Sequence, residues 1–260
     1  VTGSWLVHRW RNPAMHGFTQ FCFLNDERRL NFPYAWNAPD LDKLWLYNLH
    51  YFDDLNARDS EARNAWHAAL ILRWISENPP ARGNGWEPYP LSLRIVNWIK
   101  WVLAGGELSP QGIHSLAVQT RQLRRTLEFH LLGNHLFENG KALVFAGLFF
   151  TGEEATEWFR VGTELIERQI QEQILADGGH FELSPMYHGL ILEGLLDLMN
   201  LYTAFRMEVP AAWRDVARRM FDWLSVMCHP DGRIAFFNDA AFSVAPGLAE
   251  LERYAAGLSQ

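Results

Sequence analysis

Apolar positions recur at intervals of three and four along most of the chain beyond residue 60, the signature of helices that bury one face. Trp66, Ala69, Leu70 and Trp74 form such a stripe, stopped by Asn78, Pro79 and Pro80, so a helix is expected over about 60–77. A second opens near Pro90 with Leu91, Ile95, Trp98, Ile99 and Val102; a third covers about 110–131 and a fourth about 134–150. Thr151 and Glu154 have the form of a capping box, in which each side chain satisfies a free backbone N–H at a helix start, and predict a helix reaching about Leu175. Ser184 followed by Pro185 is an N-cap and first-turn pair opening a long helix to about Arg206, and a last helix runs over about 211–227. Residues 1–40 show no sustained period and carry Pro13, Pro33 and Pro39, which predicts an irregular or short-stranded segment.

No stretch after residue 60 reads as a strand, so the fold class is all-α, built from antiparallel helical hairpins. Polar and aromatic clusters punctuate this pattern around Asn48, Arg94, Asn134, Tyr187 and Asn238, at spacings of 40 to 53 residues, or one helix pair each. In a curved array of hairpins every second helix points the same way, so groups at their N-terminal ends converge on one mouth. The architecture expected is an incomplete (α/α) toroid spanning 44–260, with residues 1–43 as an irregular segment packed on it. A simple up-and-down bundle is the alternative.

Composition narrows the chemistry. The 260 residues are 48% hydrophobic and 20% charged, which excludes global disorder, and no apolar run approaches the roughly 20 residues needed for a membrane span. A net charge of -7 without a lysine or arginine block argues against nucleic acid as a partner. A polyanionic substrate is still compatible, because a cleft needs only a few local cations. Cys22 and Cys228 have no metal-binding spacing, and the chain starts at Val1 without a signal pattern. Aromatic residues make up 14% of the chain, and Trp5, Trp10, Trp36, Trp45 and Trp86 lie in loop-like sequence where rings either pack or stack on sugar faces.

Three clusters hold candidate chemistry. In Gly133-Asn134-His135-Leu136-Phe137-Glu138, Asn134 reads as an N-cap, while His135 and Glu138 share one helical face and are costly to bury without partners. No metal site is expected from so short a histidine and glutamate pair. In Asp177-Gly178-Gly179-His180-Phe181-Glu182-Leu183-Ser184-Pro185-Met186-Tyr187-His188, the helix start places Tyr187 and His188 in a first turn, whose dipole favours a tyrosinate. In Trp86-Glu87-Pro88-Tyr89-Pro90-Leu91-Ser92-Leu93-Arg94, Arg94 serves either as an internal ion-pair partner or as a planar clamp for a carboxylate or sulfate.

These strings resemble the heparinase II/III-like polysaccharide lyases. The resemblance rests on LWLYNLHYFDDL (44–55), WEPYPLSLRIVNW (86–98), NHLFENGKAL (134–143), DGGHFELSPMYH (177–188) and HPDGRIAFFND (229–239), in family order. It implies an incomplete (α/α) toroid and cleavage of a uronate polysaccharide by β-elimination. Asn134, His135 and Tyr187 are the catalytic positions it implies, with Arg94, Glu138, His188, Trp86 and Tyr89 in supporting, substrate-binding places. Relatives continue into a β-sandwich that supplies a further His and often a structural zinc. This chain stops about twenty residues after Asp239, so that domain is expected in a further segment or a partner chain, and no cofactor is expected within residues 1–260.

β-Elimination removes the C5 proton of a uronate and expels the C4 oxygen, so the site must neutralise the carboxylate and stabilise an enolate. Asn134 is suited to the carboxylate, His135 or Tyr187 to the proton, and Tyr187 to the leaving oxygen. The motifs hold few cations, Arg94 and Lys141, which favours a weakly sulfated or unsulfated uronan. The resemblance favours a periplasmic or secreted location. Two other functions are weighed: a noncatalytic glycan-binding or biosynthetic accessory module, and an (α/α) glycoside hydrolase drawing its acid and base from Glu138, Glu182 and Asp239. With the sandwich missing, the segment Ala240–Gln260 is expected to leave Phe242, Val244, Leu248, Leu251 and Tyr254 as an unpaired apolar patch.

Overall fold

The computed structural model describes residues 3–131 and 133–258. Val1, Thr2, Ser259 and Gln260, the ends of the expected N-terminal and C-terminal segments, lie outside the described residues. The chain forms two compact units, one of residues 9–128 and one of the described parts of 1–8 and 129–260.

The first unit opens with a small antiparallel hairpin, β1 (Gln20–Phe23) and β2 (Asp26–Arg29), in register Gln20 with Arg29 and Phe23 with Asp26. Both turn residues, Leu24 and Asn25, have positive φ of 55° and 60°, which matches the twist of a tight hairpin. Four helices follow: α1 (Lys43–Tyr51), α2 (Asn64–Glu77), α3 (Pro88–Leu103) and α4 (Pro110–Arg125). Helix α1 was not expected from the periodicity, because it is short and its apolar and aromatic residues crowd together. It forms because Asp42 accepts hydrogen bonds from the N–H groups of Leu44 and Trp45, and it ends at Phe52 in a left-handed conformation. Helix α4 stops six residues short of the expectation. The residues beyond it include exposed Phe129 and Leu131, so continued helix would gain little burial.

A buried carboxylate ties this unit's irregular segment to its helices. Asp54 accepts from the N–H groups of Ala14 (2.6 Å) and Met15 (3.1 Å), from Arg63 Nε (2.8 Å), and from His67 Nε2 (2.7 Å). Burial alone pushes its pKa up, but the hydrogen bonds from His67, Arg63 and the two amides outweigh that and hold it below the ordinary aspartate value. Its ionised form therefore stabilises the fold above the unfolded pKa, and that contribution is lost as the pH falls through the lower, folded pKa.

The second unit holds α5 (His135–Phe149), α6 (Glu153–Gln173), α7 (Pro185–Ala204), α8 (Ala211–Val226) and α9 (Leu248–Leu258). The capping box expected at Thr151 and Glu154 is not made: the cap is Gly152, at φ 101°, without a side-chain cap bond. Helices α5 and α6 pack backbone to backbone through glycines. A Cβ on Gly162 would lie 2.7 Å from Val144 N and 2.8 Å from Gly140 O, and one on Gly147 would lie 2.5 Å from Phe159 N.

The expected apolar patch at the C-terminus is largely absent, because that segment folds back as α9. Leu251 and Tyr254 are buried against the unit. Tyr254 donates its hydroxyl to Asp197 Oδ1 (2.9 Å), accepts from Asn200 Nδ2 (2.9 Å) and stacks on His8 at 4.3 Å. Phe242 alone of the named residues remains widely exposed, beside Phe236 at 4.6 Å. Trp5, Trp36, Trp45 and Trp86 are buried as packing residues, and Trp10 carries the Arg11 guanidinium over its ring at 4.4 Å.

If glycine at 162 sets the spacing of α5 and α6, Gly162→Ala should destabilise the fold by about 1–3 kcal/mol through overpacking, despite a helix-propensity gain of up to about 1 kcal/mol. Gly17→Ala, where the nearest atom is Gln20 Cβ at 3.7 Å, should be near neutral. Denaturant midpoints of the two variants check this; equal midpoints would refute it.

Candidate functional site

The site is organised by the start of α7. Ser184 is its N-cap, with Oγ accepting from the Tyr187 N–H at 3.3 Å, and Pro185 follows in the first turn. The same hydroxyl donates to the backbone carbonyl of Asp239 at 2.7 Å. Asn238 Nδ2 donates to the carbonyls of Glu182 (3.0 Å) and Leu183 (2.9 Å). Leu183 and Asn238 both sit in the left-handed region, at φ 53° and 54°, a strained conformation held by these cross-ties. The loop before α7 and the loop carrying Asn238 and Asp239 are thus locked together, and Tyr187 Oη donates to Asp239 Oδ2 at 3.3 Å.

A second series of hydrogen bonds fixes the head of α5, where Asn134 and His135 stand. His188 Nε2 donates to Met220 O (2.9 Å) while its Nδ1 accepts from the His180 N–H (3.3 Å). His180 Nε2 donates to Gln173 Oε1 (2.9 Å), and Gln173 Nε2 donates to Gly133 O (2.8 Å). Burial pushes His180 down to about 3 and His188 down to about 4, so both rings are neutral scaffold at physiological pH. His188, expected to bind substrate, is fully buried and stacked on Trp223 at 4.6 Å, which makes it a support for the loop instead.

Asn134 occupies the N-cap position of α5 and is buried, yet its side chain makes no capping bond to the helix. His135 is half-buried and close enough to Glu182 to act on it electrostatically. Glu138 does not share the site with His135. It is buried beneath it in an ion pair with Lys141 at 2.7 Å, and burial pushes its carboxyl up. Lys141, a motif cation, is consumed by that pair.

Tyr187 differs from expectation in its electrostatics. The helix start was expected to favour the tyrosinate, but burial pushes the phenol up, and the Asp239 and Glu182 carboxylates push it further the same way. The helix-terminal effect is worth only about 0.3–1 kcal/mol and loses to two nearby anions. Glu182 is raised as well, by burial first and by Asp239, with His135 opposing. Tyr187, Asp239 and Glu182 thus act on one another, with His135 acting on Glu182. Sequence reading weighed Glu182 and Asp239 only as hydrolase acids; their association with Tyr187 rests on Ser184 and Asn238.

The remaining expected residues belong to the unit of residues 9–128. Arg94 is fully buried, with Nε donating to Gln119 Oε1 (2.8 Å), Nη1 to His50 O (3.2 Å) and Nη2 to Gly85 O (2.7 Å), and it lies 3.8 Å over the Trp74 ring. A guanidinium so committed is an internal tie, not an open clamp. Trp86 packs 5.5 Å from Trp74, donates Nε1 to Asn78 O (3.3 Å) and lines a cavity of about 410 Å³ between α2 and α4. Tyr89 is half-buried, edge-on to Tyr51 at 6.0 Å. Among the described residues no three His, Cys, Asp or Glu side chains are grouped as metal ligands would be, and no helix is long and apolar enough to cross a membrane.

The family model described as heparinase II/III N-terminus matches residues 42–255. A heparin-sulfate lyase of Bacteroides stercoris is 34% identical over 112 residues, 42% of this chain and 17% of the relative. One of Bacteroides thetaiotaomicron is 24% identical over 191 residues, 66% of this chain and 27% of the relative. The chain thus spans about a quarter or less of the length of these relatives. Among solved structures, heparinase III aligns with a TM-score of 0.63 at 21% identity, over 82% of this chain and 34% of that one. The heparan sulfate lyase HepC of Pedobacter heparinus aligns at 0.62 and 20% identity, over 85% and 38%. The fold class is all-α, an incomplete (α/α) toroid of antiparallel helical hairpins.

The Tyr187 electrostatics give a direct test. Asp239→Asn removes an anion that disfavours the phenolate, so the Tyr187 phenol should ionise at lower pH than in the unaltered protein. Ultraviolet difference titration, with Tyr187→Phe in each background to isolate this ring, reads the shift; an unchanged or higher midpoint would show that Asp239 does not act on Tyr187.

Proposed function

The chain belongs to the heparinase II/III N-terminus family, and on that premise we propose that it forms the toroid part of a polysaccharide lyase that cleaves a uronic-acid polysaccharide by β-elimination. What supports the reading is the Tyr187 hydroxyl on Asp239 Oδ2 at 3.3 Å, with Glu182 near enough to act electrostatically on Tyr187 and His135, and the buried Asn134 next to His135 in the chain. In this reading Asn134 donates to the uronate carboxylate and stabilises the enolate, as oxyanion donors do elsewhere. His135 takes the C5 proton. Tyr187, whose phenol is held protonated by burial and by Asp239, gives a proton to the departing C4 oxygen. This reading gives base and acid to different groups, where the sequence left the base open between His135 and Tyr187 and gave Tyr187 as the acid.

Several further features belong to the same proposal. The substrate is weakly sulfated or unsulfated, which is supported by the internal commitment of both motif cations, Arg94 and Lys141. A β-sandwich domain, in a further segment or partner chain, supplies a second wall and another His, and any structural zinc lies there. The location is periplasmic or secreted. The raised Glu182 carboxyl beside Asp239 favours one other reading, an (α/α) glycoside hydrolase with that pair as acid and base.

Elimination leaves a conjugated, ultraviolet-absorbing uronate, whereas hydrolysis leaves only new reducing ends. Turnover with absorbance is therefore expected on a uronan, and reducing ends without absorbance would move the assignment to the hydrolase. Tyr187→Phe should abolish elimination while leaving glycan binding nearly unchanged, because one proton-transfer group is lost and little contact area. Asn134→Ala should lower turnover by roughly 10² to 10³; a lower melting temperature with unchanged specific activity would make Asn134 a structural residue only.

A further inference from the structure

Two aromatic rings on the loop that carries Asp239 stand in solvent. Phe236 and Phe242 are 56% and 49% exposed, and they meet, with ring centroids 4.6 Å apart and planes at 58°. A cation extends the same surface, because the Arg233 guanidinium carbon lies 5.6 Å from the centre of the Phe242 ring. Single exposed apolar residues are ordinary on a protein surface, whereas rings gathered with a cation mark a place where something binds.

This surface is fixed by the backbone. The His229 N–H donates to the Arg233 carbonyl, the Gly232 N–H to the His229 carbonyl and the Ala235 N–H to the Met227 carbonyl, each at 2.8 Å, so a tight turn beyond α8 holds Arg233 and Phe236. The returning segment is held on the head of α7, where Ser184 Oγ donates to the Asp239 carbonyl (2.7 Å) and the Ala241 N–H meets Met186 Sδ at 3.2 Å. Phe236 and Phe242 thus flank Asp239 in the chain, and Asp239 accepts from the Tyr187 hydroxyl, which makes the surface continuous with the candidate site. The Arg233 N–H and Nε donate to Asp231 at 3.0 and 2.8 Å, which orients the guanidinium and leaves its Nη donors without partners among the described residues. The cores of protein interfaces are depleted in charge, which argues against a protein face over Arg233 and Asp231. A uronate ring matches both features: it has a C–H face for the phenylalanines and a carboxylate for a planar guanidinium.

We propose that Phe236, Phe242 and Arg233 form a substrate subsite beside Tyr187, in which one uronate ring of the polysaccharide packs its C–H face on the phenylalanines and gives its carboxylate to the Arg233 Nη groups. The subsite deepens the lyase reading and rests on it for the identity of the ligand. Its three residues touch a sugar that is not the one cleaved, so they act on binding and not on proton transfer.

The test follows the two rings during a titration. Tyr187→Phe serves as the parent, so that ligand is bound without being cleaved; its phenylalanine rings are labelled with carbon-13, and Phe236→Leu and Phe242→Leu assign the signals. Both rings should shift saturably with a hexasaccharide of β-1,4-linked glucuronate. Cellohexaose has the same linkage and C–H faces but no carboxylate; it should bind about tenfold more weakly, and Arg233→Gln should bring the two affinities together. Replacing both phenylalanines by alanine should weaken both ligands about tenfold. With Tyr187 in place, the same double replacement should raise KM on glucuronan and leave kcat nearly unchanged. Rings that do not shift, equal affinities for the two hexasaccharides in the parent, or a double variant that binds like the parent would each overturn the proposal. Loss of self-association in such a normally binding variant would give the rings to a second copy of the chain instead. Absence of elimination in the unaltered protein would count against the lyase reading alone, since the titration decides the subsite without turnover.

Discussion

A single hydroxyl, Ser184 Oγ, governs the arrangement of the candidate site. It accepts from the Tyr187 N–H and so starts α7, and it donates to the carbonyl of Asp239 and so anchors a loop more than fifty residues away in sequence. One group with both hydrogen-bonding roles thereby brings the Asp239 carboxylate to the Tyr187 phenol. Without the second bond Tyr187 would still begin a helix, but its proton would not be held by a neighbouring anion. Asn238 repeats the device with two donations to the carbonyls on the other side of the loop.

Buried polar groups elsewhere follow the same rule, that a group removed from water must find partners in the chain. Asp54 is satisfied by two amides, Arg63 and His67, and fastens the irregular N-terminal segment of its unit. Arg94 is satisfied by two carbonyls and a glutamine amide, and it flattens on Trp74. Glu138 and Lys141 satisfy each other inside α5. Charges that looked chemical in the motifs are thus largely structural.

Rigidity under the site comes from close backbone packing. Gly140, Gly147 and Gly162 let α5 and α6 approach until no methyl group fits between them. The head of α5 is then fixed by Gln173 at the end of α6, and Gln173 by His180 and His188. A continuous series of hydrogen bonds from α8 to α5 holds Asn134 and His135 in place, which is the preorganisation that electrostatic catalysis requires.

The local devices were legible in the sequence. Ser184 and Pro185 started α7 where expected, Pro88 to Leu103 and Pro110 onward formed helices, and the motif strings identified the family, because caps, prolines and helical period act over a few residues. Short α1 escaped, since its stripe spans too few turns, and the Thr151 box lost to a glycine cap. Only the tertiary structure decided which polar residues meet. Tyr187 finds Asp239 across 52 positions and Tyr254 finds Asp197 across 57, so neither the raised phenol nor the burial of α9 could be read from neighbours. Arg94 and His188 turn inward for the same reason: burial depends on partners brought from distant segments, and the amino-acid pattern around a residue records its helix face but not what lies against it.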